Sequence, residues 1–213
     1  MWIIGLLAIA LVAAIVRHVR GHRHEFTIVA ILVALGFVGY KEQHQRALVS
    51  TYESVASEIA GRPVKVHCQG FAGALVDVGA ELGYVPWTED GPADYTLIKR
   101  DACGSLASYI GGGKRRPSLD EVIAVHVLAH EAYHLAGIQS EARTECFSVQ
   151  LNAHVAERLG ASPGQAQRLA IAYWLRVYPD MPSGYTSSEC RDGGKLDLHP
   201  NQEGWPTAGA RSV

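Results

Sequence analysis

Two apolar runs open the chain. Residues 1–16 and 26–40 are almost wholly apolar, and a short basic stretch separates them. As a helix, each run would be roughly 22 Å long, somewhat short of a bilayer core, but the flanking Trp2 and Tyr40 suit the membrane interfaces. The pattern predicts a transmembrane helical hairpin over 1–40, and a buried soluble hairpin is the alternative. A cleaved signal peptide fits less well, because no Lys or Arg precedes the first run and a second apolar run follows it.

The basic stretch between the two runs predicts an orientation. Arg17, Arg20 and Arg23 all lie in it. By the positive-inside rule such a loop stays in the cytoplasm, which places both termini and the rest of the chain outside. We therefore expect a protein of the cell membrane with two spanning helices, a bilayer as its lipid partner and an extracytoplasmic main domain.

The period of the apolar positions changes twice after the hairpin. Residues 41–62 have the spacing of a helix, which predicts a connecting helix. Short strand-like runs separated by Gly, Pro and Asp follow, at Pro63–Cys68, Ala74–Val78, Gly83–Trp87 and Asp94–Arg100. Helical spacing then returns from Ser118 to about Val177, and the remainder is rich in Pro, Gly and Ser. The expected fold class is α+β, with a mainly helical domain over 63–213 that contains a small β element and ends in an irregular tail.

Composition narrows the function classes. The net charge is −2 and no basic patch interleaved with aromatic residues occurs, so we expect no nucleic-acid partner. Gly111–Arg116 is rich in glycine and basic residues but lacks the spacing of a phosphate-binding loop, so we expect no nucleotide.

One pentapeptide combines metal-ligating residues with an acid–base residue. His130-Glu131-Ala132-Tyr133-His134 lies in an apolar helical pattern that begins at a capping Ser118. Residues four apart project from one face of a helix, so both imidazoles can bind one Zn²⁺. Glu131 would lie beside the metal as the catalytic base.

A third ligand is expected a few residues later. Gly137 can end the first helix and Ser140 can begin a second one. Glu141 and Glu145 would then point the same way from that second helix, because they are four residues apart. We predict Glu141 as the third metal ligand and Glu145 as the residue that orients a ligand histidine. The exchanged assignment is the alternative.

These residues resemble those of the gluzincin metallopeptidases. His130, His134 and Glu141 match the family's metal ligands, Glu131 its base, and Glu145 a supporting Asp, although Glu replaces that Asp here and the spacing to Glu141 is shorter. The resemblance covers about 25 residues and is closest to small membrane-anchored bacterial metallopeptidase-like proteins. It implies a zincin-like domain over 63–213 and a strand along the active cleft, for which Asp94–Arg100 is the candidate.

The expected function is zinc-dependent hydrolysis of peptide bonds, with a peptide or protein as substrate and a zinc-activated water deprotonated by Glu131. The alternative is a non-catalytic membrane-anchored interaction domain that retains a structural zinc. Tyr185 or His199 could stabilise an oxyanion. His126 is expected to be a buried, hydrogen-bonded histidine, and His154 is excluded as a ligand.

Four cysteines follow the membrane segments, and none forms a C-x-x-C pair. In an oxidising compartment two disulfides are natural. Of the three pairings we favour Cys68–Cys103 together with Cys146–Cys190. Four reduced, buried cysteines are the alternative for a cytoplasmic domain.

Overall fold

The computed structural model describes residues 2–21, 25–70, 79 and 81–207, and these divide into two compact units, Met1–Leu48 and Val49–Val213. The first unit contains helix α1 (Trp2–Val19) and most of helix α2 (Glu25–Ala60). Phe26–Ala60 is long and apolar enough to cross a membrane, whereas the apolar helix Gly5–Val19 is shorter than that. Among the described residues one helix is therefore a candidate for spanning a membrane, and the second spanning helix stays a prediction.

Large apolar side chains of the first unit are exposed. The exposed fraction is 65% for Leu6, 69% for Ile9, 92% for Phe26 and 61% for Phe37. Exposed apolar surface of this kind marks a region that a bilayer or a partner would cover.

The second unit begins with the end of α2 and a small mixed sheet. Strand β1 (Lys65–Cys68) runs parallel to β5 (Tyr95–Ile98), and β2 (Gly83–Tyr84) runs antiparallel to β5 on its other side. A separate two-stranded ribbon pairs β3 (Trp87–Thr88) with β4 (Gly91–Pro92). The predicted strands at Pro63–Cys68, Gly83–Trp87 and Asp94–Arg100 are confirmed in shortened form, and Ala74–Val78 lies outside the described residues.

The prediction that Asp94–Arg100 forms the edge strand along the active cleft is wrong. Tyr95–Ile98 is the central strand of the order β1-β5-β2, so its backbone is paired on both sides. An extended substrate cannot pair with a central strand, because no unpaired edge remains. Among the described residues, β2 forms an edge of this sheet.

Helix α3 (Arg100–Gly111) follows β5 directly and was not predicted. Its buried residues are Ala102, Cys103, Leu106 and Tyr109, which have helical spacing. The sequence pattern predicts a strand up to Arg100 and no helix between that strand and Ser118.

The three remaining helices agree closely with the sequence pattern. They are α4 (Leu119–Leu135), α5 (Glu141–Arg158) and α6 (Pro163–Arg176), followed by a short 3₁₀ helix. Ser118 caps α4 in a reciprocal capping box with Glu121, an arrangement in which each partner satisfies a backbone donor of the first turn. Gly137, with φ of +95°, follows the end of α4, as a left-handed helix terminus requires.

Helix α4 is the centre of this unit. It packs against α3, α5, α6 and β5, and it buries apolar side chains on several sides, among them Val122, Val125, Leu128 and Leu135. A helix enclosed in this way carries its polar residues into the interior. His130, Glu131 and His134 are therefore buried.

Both predicted disulfides are confirmed. Cys68–Cys103 joins β1 to α3, and Cys146–Cys190 joins α5 to the C-terminal tail. Their sequence separations are 35 and 44 residues. By the loop-entropy relation, closing loops of this length stabilises the folded state by roughly 4 kcal/mol each.

Candidate metal centre

Three ligand atoms converge between α4 and α5. His130 Nε2 lies 3.0 Å from His134 Nε2 and 3.1 Å from Glu141 Oε2, and His134 Nε2 lies 3.3 Å from the same oxygen. Around a tetrahedral zinc ion with bonds of about 2.0–2.2 Å, neighbouring ligand atoms are about 3.3–3.6 Å apart. The three predicted ligand residues thus meet at nearly the spacing of a coordination sphere, and they form one of two groups among the described residues that could hold a metal ion.

The partners of the Nδ1 atoms determine the tautomers of His130 and His134. His134 Nδ1 lies 2.7 Å from the Ile138 carbonyl oxygen, and His130 Nδ1 lies 3.1 Å from Glu145 Oε2. Both partners are acceptors, so each Nδ1 carries a hydrogen and a neutral ring has its lone pair on Nε2. Two imidazole lone pairs and a carboxylate oxygen then face one point. Only a cation, either a metal ion or a proton, satisfies all three.

In the metal-free protein a proton takes that place on His130. Burial lowers the pKa of His130, but hydrogen bonds with Glu141 and Glu145 and the nearby carboxylate charges outweigh burial and raise it to about 9. The pKa of His134 is lowered, first by burial and then by the charge of His130. Two imidazoles at this distance do not both hold a proton, because like charges oppose each other in a buried site.

The loop between α4 and α5 fixes the second histidine. The Ile138 carbonyl accepts hydrogen bonds from His134 Nδ1 and from Thr144 Oγ1, the latter at 3.2 Å. Glu141 is the first residue of α5, and its side chain is 42% exposed, whereas His134 is 8% exposed. The centre therefore opens to solvent on the Glu141 side.

Glu131 is buried between the metal centre and the sheet. It is 4% exposed, and Thr96 Oγ1 of the central strand lies 3.3 Å from Glu131 Oε2. Burial raises the pKa of Glu131 to about 7, while the charge of His130 and the hydrogen bond from Thr96 act in the opposite direction. A carboxyl group with a pKa near neutrality can both accept and return a proton at physiological pH.

Because Gly83 of the edge strand has no side chain, the Glu131 side chain can occupy the space beside it. A Cβ on residue 83 would lie 2.9 Å from both Cγ and Oε1 of Glu131. Separations under 3.0 Å are essentially never found for real Cβ atoms. The Glu131 side chain is thus packed directly against the backbone of β2.

Glu145 lies behind His130, on the side away from the converging atoms. It is 1% exposed, and its contact with His130 is through Nδ1 rather than Nε2. Glu141, by contrast, faces the Nε2 atoms of both histidines. Glu141 therefore lies on the side of the converging atoms and Glu145 on the opposite side of the His130 ring, and the roles of the two glutamates stay a prediction.

The other histidines and Tyr185 are placed as follows. His126 is buried, and its Nε2 lies 2.9 Å from Glu145 Oε2, as expected of a hydrogen-bonded core histidine; with His130 and Glu145 it forms the second group that could hold a metal. His154 contacts Glu58 of α2 at 2.8 Å. The Tyr185 ring centroid is 6.0 Å from that of His130, so this tail residue reaches the centre.

Comparisons with protein-family models, with curated proteins and with solved structures find no match. The resemblance to gluzincins therefore depends on the motif and on the contacts described above.

Gly83, Thr96 and Tyr173 were not predicted as residues of the site. Gly83 and Thr96 belong to the sheet, and Tyr173 belongs to α6. Each reaches the centre through a contact between elements far apart in sequence, for which the local pattern contains no signal.

Proposed function

We propose that this protein is a membrane-anchored zinc metallopeptidase that hydrolyses peptide bonds. The observation that carries the proposal is the convergence of His130, His134 and Glu141 beside the buried Glu131. Structural zinc sites are almost always closed by four protein ligands, whereas catalytic sites use three and leave one position open. Three protein ligands with a solvent-facing side and an adjacent carboxylate match the catalytic arrangement.

Zinc is the metal that this ligand set favours. Two imidazoles and one carboxylate suit Zn²⁺ better than Ca²⁺ or Mg²⁺, which prefer all-oxygen sites. A bound zinc ion would act as a Lewis acid and would lower the pKa of a coordinated water to about 7. Everything else in the reaction depends on the side chains around it.

Glu131 is the proton carrier of the proposed reaction. It accepts the proton of the attacking water and returns it to the leaving amine, and a pKa of about 7 suits both steps. The Thr96 hydroxyl holds one carboxylate oxygen in place during the transfer. Tyr185 supplies a hydroxyl for the oxyanion of the tetrahedral intermediate, as a donor in the transition state.

The peptide substrate is supported by the sheet beside the base. Strand β2 is paired to β5 on one side, and among the described residues no strand covers its other side. An extended peptide can add to such an edge by main-chain hydrogen bonds. Gly83 of this strand contacts Glu131, so a peptide bound there would run past the base.

The membrane anchor and its topology belong to the same proposal. The apolar helix Phe26–Ala60 supports attachment to a bilayer, and the preceding apolar helix is proposed as the second span. Two disulfides support an oxidising, extracytoplasmic compartment for the second unit.

The test compares the parent with Glu131→Gln in the full-length chain, purified in detergent and loaded with zinc. Both proteins are incubated with an unbiased peptide library, and cleavage products are identified by mass spectrometry. The proposal predicts cleavage by the parent and its loss in Glu131→Gln, at unchanged zinc content. If zinc is bound and the parent cleaves no peptide, the non-catalytic interaction domain with a structural zinc replaces the peptidase.

A further inference from the structure

The carboxylate of Glu145 receives hydrogen bonds from three buried side chains on two other helices. His126 Nε2 lies 2.9 Å and His130 Nδ1 3.1 Å from Oε2, and the Tyr173 hydroxyl lies 2.7 Å from Oε1. The exposed fractions are 1% for Glu145, 3% for His126 and 2% for Tyr173. A charge in such surroundings is stable only when its hydrogen-bonding capacity is met, and these donors meet it.

The side chains of His126 and Tyr173 also pack against each other. Their rings are stacked with centroids 3.7 Å apart and an interplanar angle of 12°. The outer nitrogen of His126, Nδ1, lies 3.2 Å from Asn152 Oδ1 of α5. Both ring nitrogens of His126 are thereby engaged, so the ring has one orientation in which it donates to Glu145.

We infer that His126 and Tyr173 are positioning residues of the metal centre. Through Glu145 they keep a hydrogen on Nδ1 of His130, and the lone pair of His130 is then on Nε2, which faces His134 and Glu141. A carboxylate that accepts from Nδ1 also makes the ring a more basic ligand. The inference depends on the metal site of the proposed function but is independent of peptide hydrolysis.

The charge state of Glu145 agrees with this role. Burial acts to raise its pKa, but the electrostatic attraction of His126 and the hydrogen bonds from His126, His130 and Tyr173 outweigh burial and hold the pKa well below its usual range. Loss of either outer donor weakens the hold of the Glu145 carboxylate on His130.

The first test is Tyr173→Phe in the full-length chain, with zinc affinity measured by competition with a chelator. This change removes the hydroxyl on Glu145 and keeps the stacked ring. We expect zinc affinity to fall by about 10-fold, at the low end of the range for residues that orient a ligand. The matched control is Tyr109→Phe, because the buried Tyr109 hydroxyl has no hydrogen-bond partner among the described residues; its affinity should equal that of the parent.

The second test exchanges His126 for Leu and for Gln. Leucine cannot donate to Glu145, whereas the glutamine amide can, so zinc affinity should be lower in His126→Leu than in His126→Gln. The visible spectrum of the cobalt-substituted protein should shift in His126→Leu and Tyr173→Phe and return toward that of the parent in His126→Gln.

A purely structural role predicts a different result. The melting temperature of the metal-free variants would then fall, while those molecules that fold would bind zinc as the parent does. Parental zinc affinity in both Tyr173→Phe and His126→Leu would overturn the inference, as would equal affinities of His126→Leu and His126→Gln. Two zinc ions per parent chain would also overturn it, because His126 and Glu145 would then be ligands. A parent that binds no zinc would overturn this inference together with the proposed function.

Discussion

Gly83 and Glu131 occupy adjoining space so closely that a single methyl group on residue 83 would overlap the glutamate side chain. The Cβ of an alanine would lie 2.9 Å from Glu131 Cγ and 3.0 Å from Glu131 Cδ. Unlike Gly137 or Gly160, Gly83 does not have the positive φ that favours glycine. Glycine is therefore favoured at position 83 by the position of the Glu131 side chain, and not by the backbone conformation.

This relationship predicts the effect of Gly83→Ala. The added methyl should displace the Glu131 carboxylate without touching the metal ligands, so zinc content should stay at the parental value while the rate of peptide hydrolysis falls about 100-fold. Gly104→Ala is the matched control, because its Cβ would meet nothing within 4 Å. Equal activity of Gly83→Ala and the parent would show that Glu131 can move without loss.

Zinc affinity should depend on pH through His130. Its pKa of about 9 in the metal-free protein means that the ring is protonated at pH 7 and that zinc must displace this proton. Affinity should therefore rise by at least tenfold per pH unit up to pH 9. Calorimetry in buffers of different ionisation enthalpy should show about one proton released per zinc at pH 6, and more above pH 7, where a zinc-bound water also ionises. Affinity that does not change between pH 7 and 9 would contradict this assignment.

Stability toward acid should depend on Glu145. Its pKa in the folded state lies below the unfolded value, since the hydrogen bonds and charge around it outweigh burial. The stabilisation is complete above the unfolded pKa of about 4.3 and is lost as the pH falls from there toward the folded pKa.

Glu145→Gln tests this by chemical unfolding of the metal-free protein. At pH 7 it should lower the free energy of unfolding by about 3–5 kcal/mol, because His126 and His130 lose a buried charged partner. Between pH 5 and 3 it should show a weaker pH dependence than the parent. Glu42→Gln, which removes an exposed ion pair with Arg46, is the control and should change the stability by less than about 1 kcal/mol. Equal effects of the two substitutions would refute a special role of Glu145.

The two glutamates of α5 should differ in their effect on zinc binding. Glu141→Ala removes an atom that faces both Nε2 nitrogens and should abolish stable binding. Glu145→Ala should lower the affinity about 10–100-fold, and Glu145→Asp should retain more, because it keeps a carboxylate near His130. Chelator competition measures all three. If Glu141→Ala bound zinc with parental affinity and Glu145→Ala did not, the roles would be exchanged.

The part of the site that the sequence predicts is the part built from local spacing. His130 and His134 are one helical turn apart, Gly137 follows the end of α4, and Ser140 precedes α5, although its side chain makes no capping hydrogen bond. These signals operate over a few residues, so the motif, the two helices and the position of Glu141 beside the histidines follow from the pattern. The two disulfides have the favoured pairing. Each joins elements within one half of the domain: Cys68–Cys103 lies in the half that contains the strands, and Cys146–Cys190 ties the tail to α5.

The features that the sequence does not predict arise from contacts between segments that are far apart in the sequence. The position of Tyr95–Ile98 in the centre of the sheet results from its pairing with β1 and β2, which short strands do not encode in their own pattern. Thr96, Gly83 and Tyr173 reach the site only after the sheet and α6 pack against α4. Helix α3 was missed because its apolar positions directly follow a strand.

The central claim is that His130, His134 and Glu141 hold one metal ion, and the zinc content of the full-length chain tests it most directly. After equilibration with zinc and removal of the free ion, inductively coupled plasma mass spectrometry should find one zinc per parent chain. His130→Ala and His134→Ala, prepared in the same way and shown to be folded, should contain almost none. A parent without zinc, or one ion retained in both folded variants, would contradict the account.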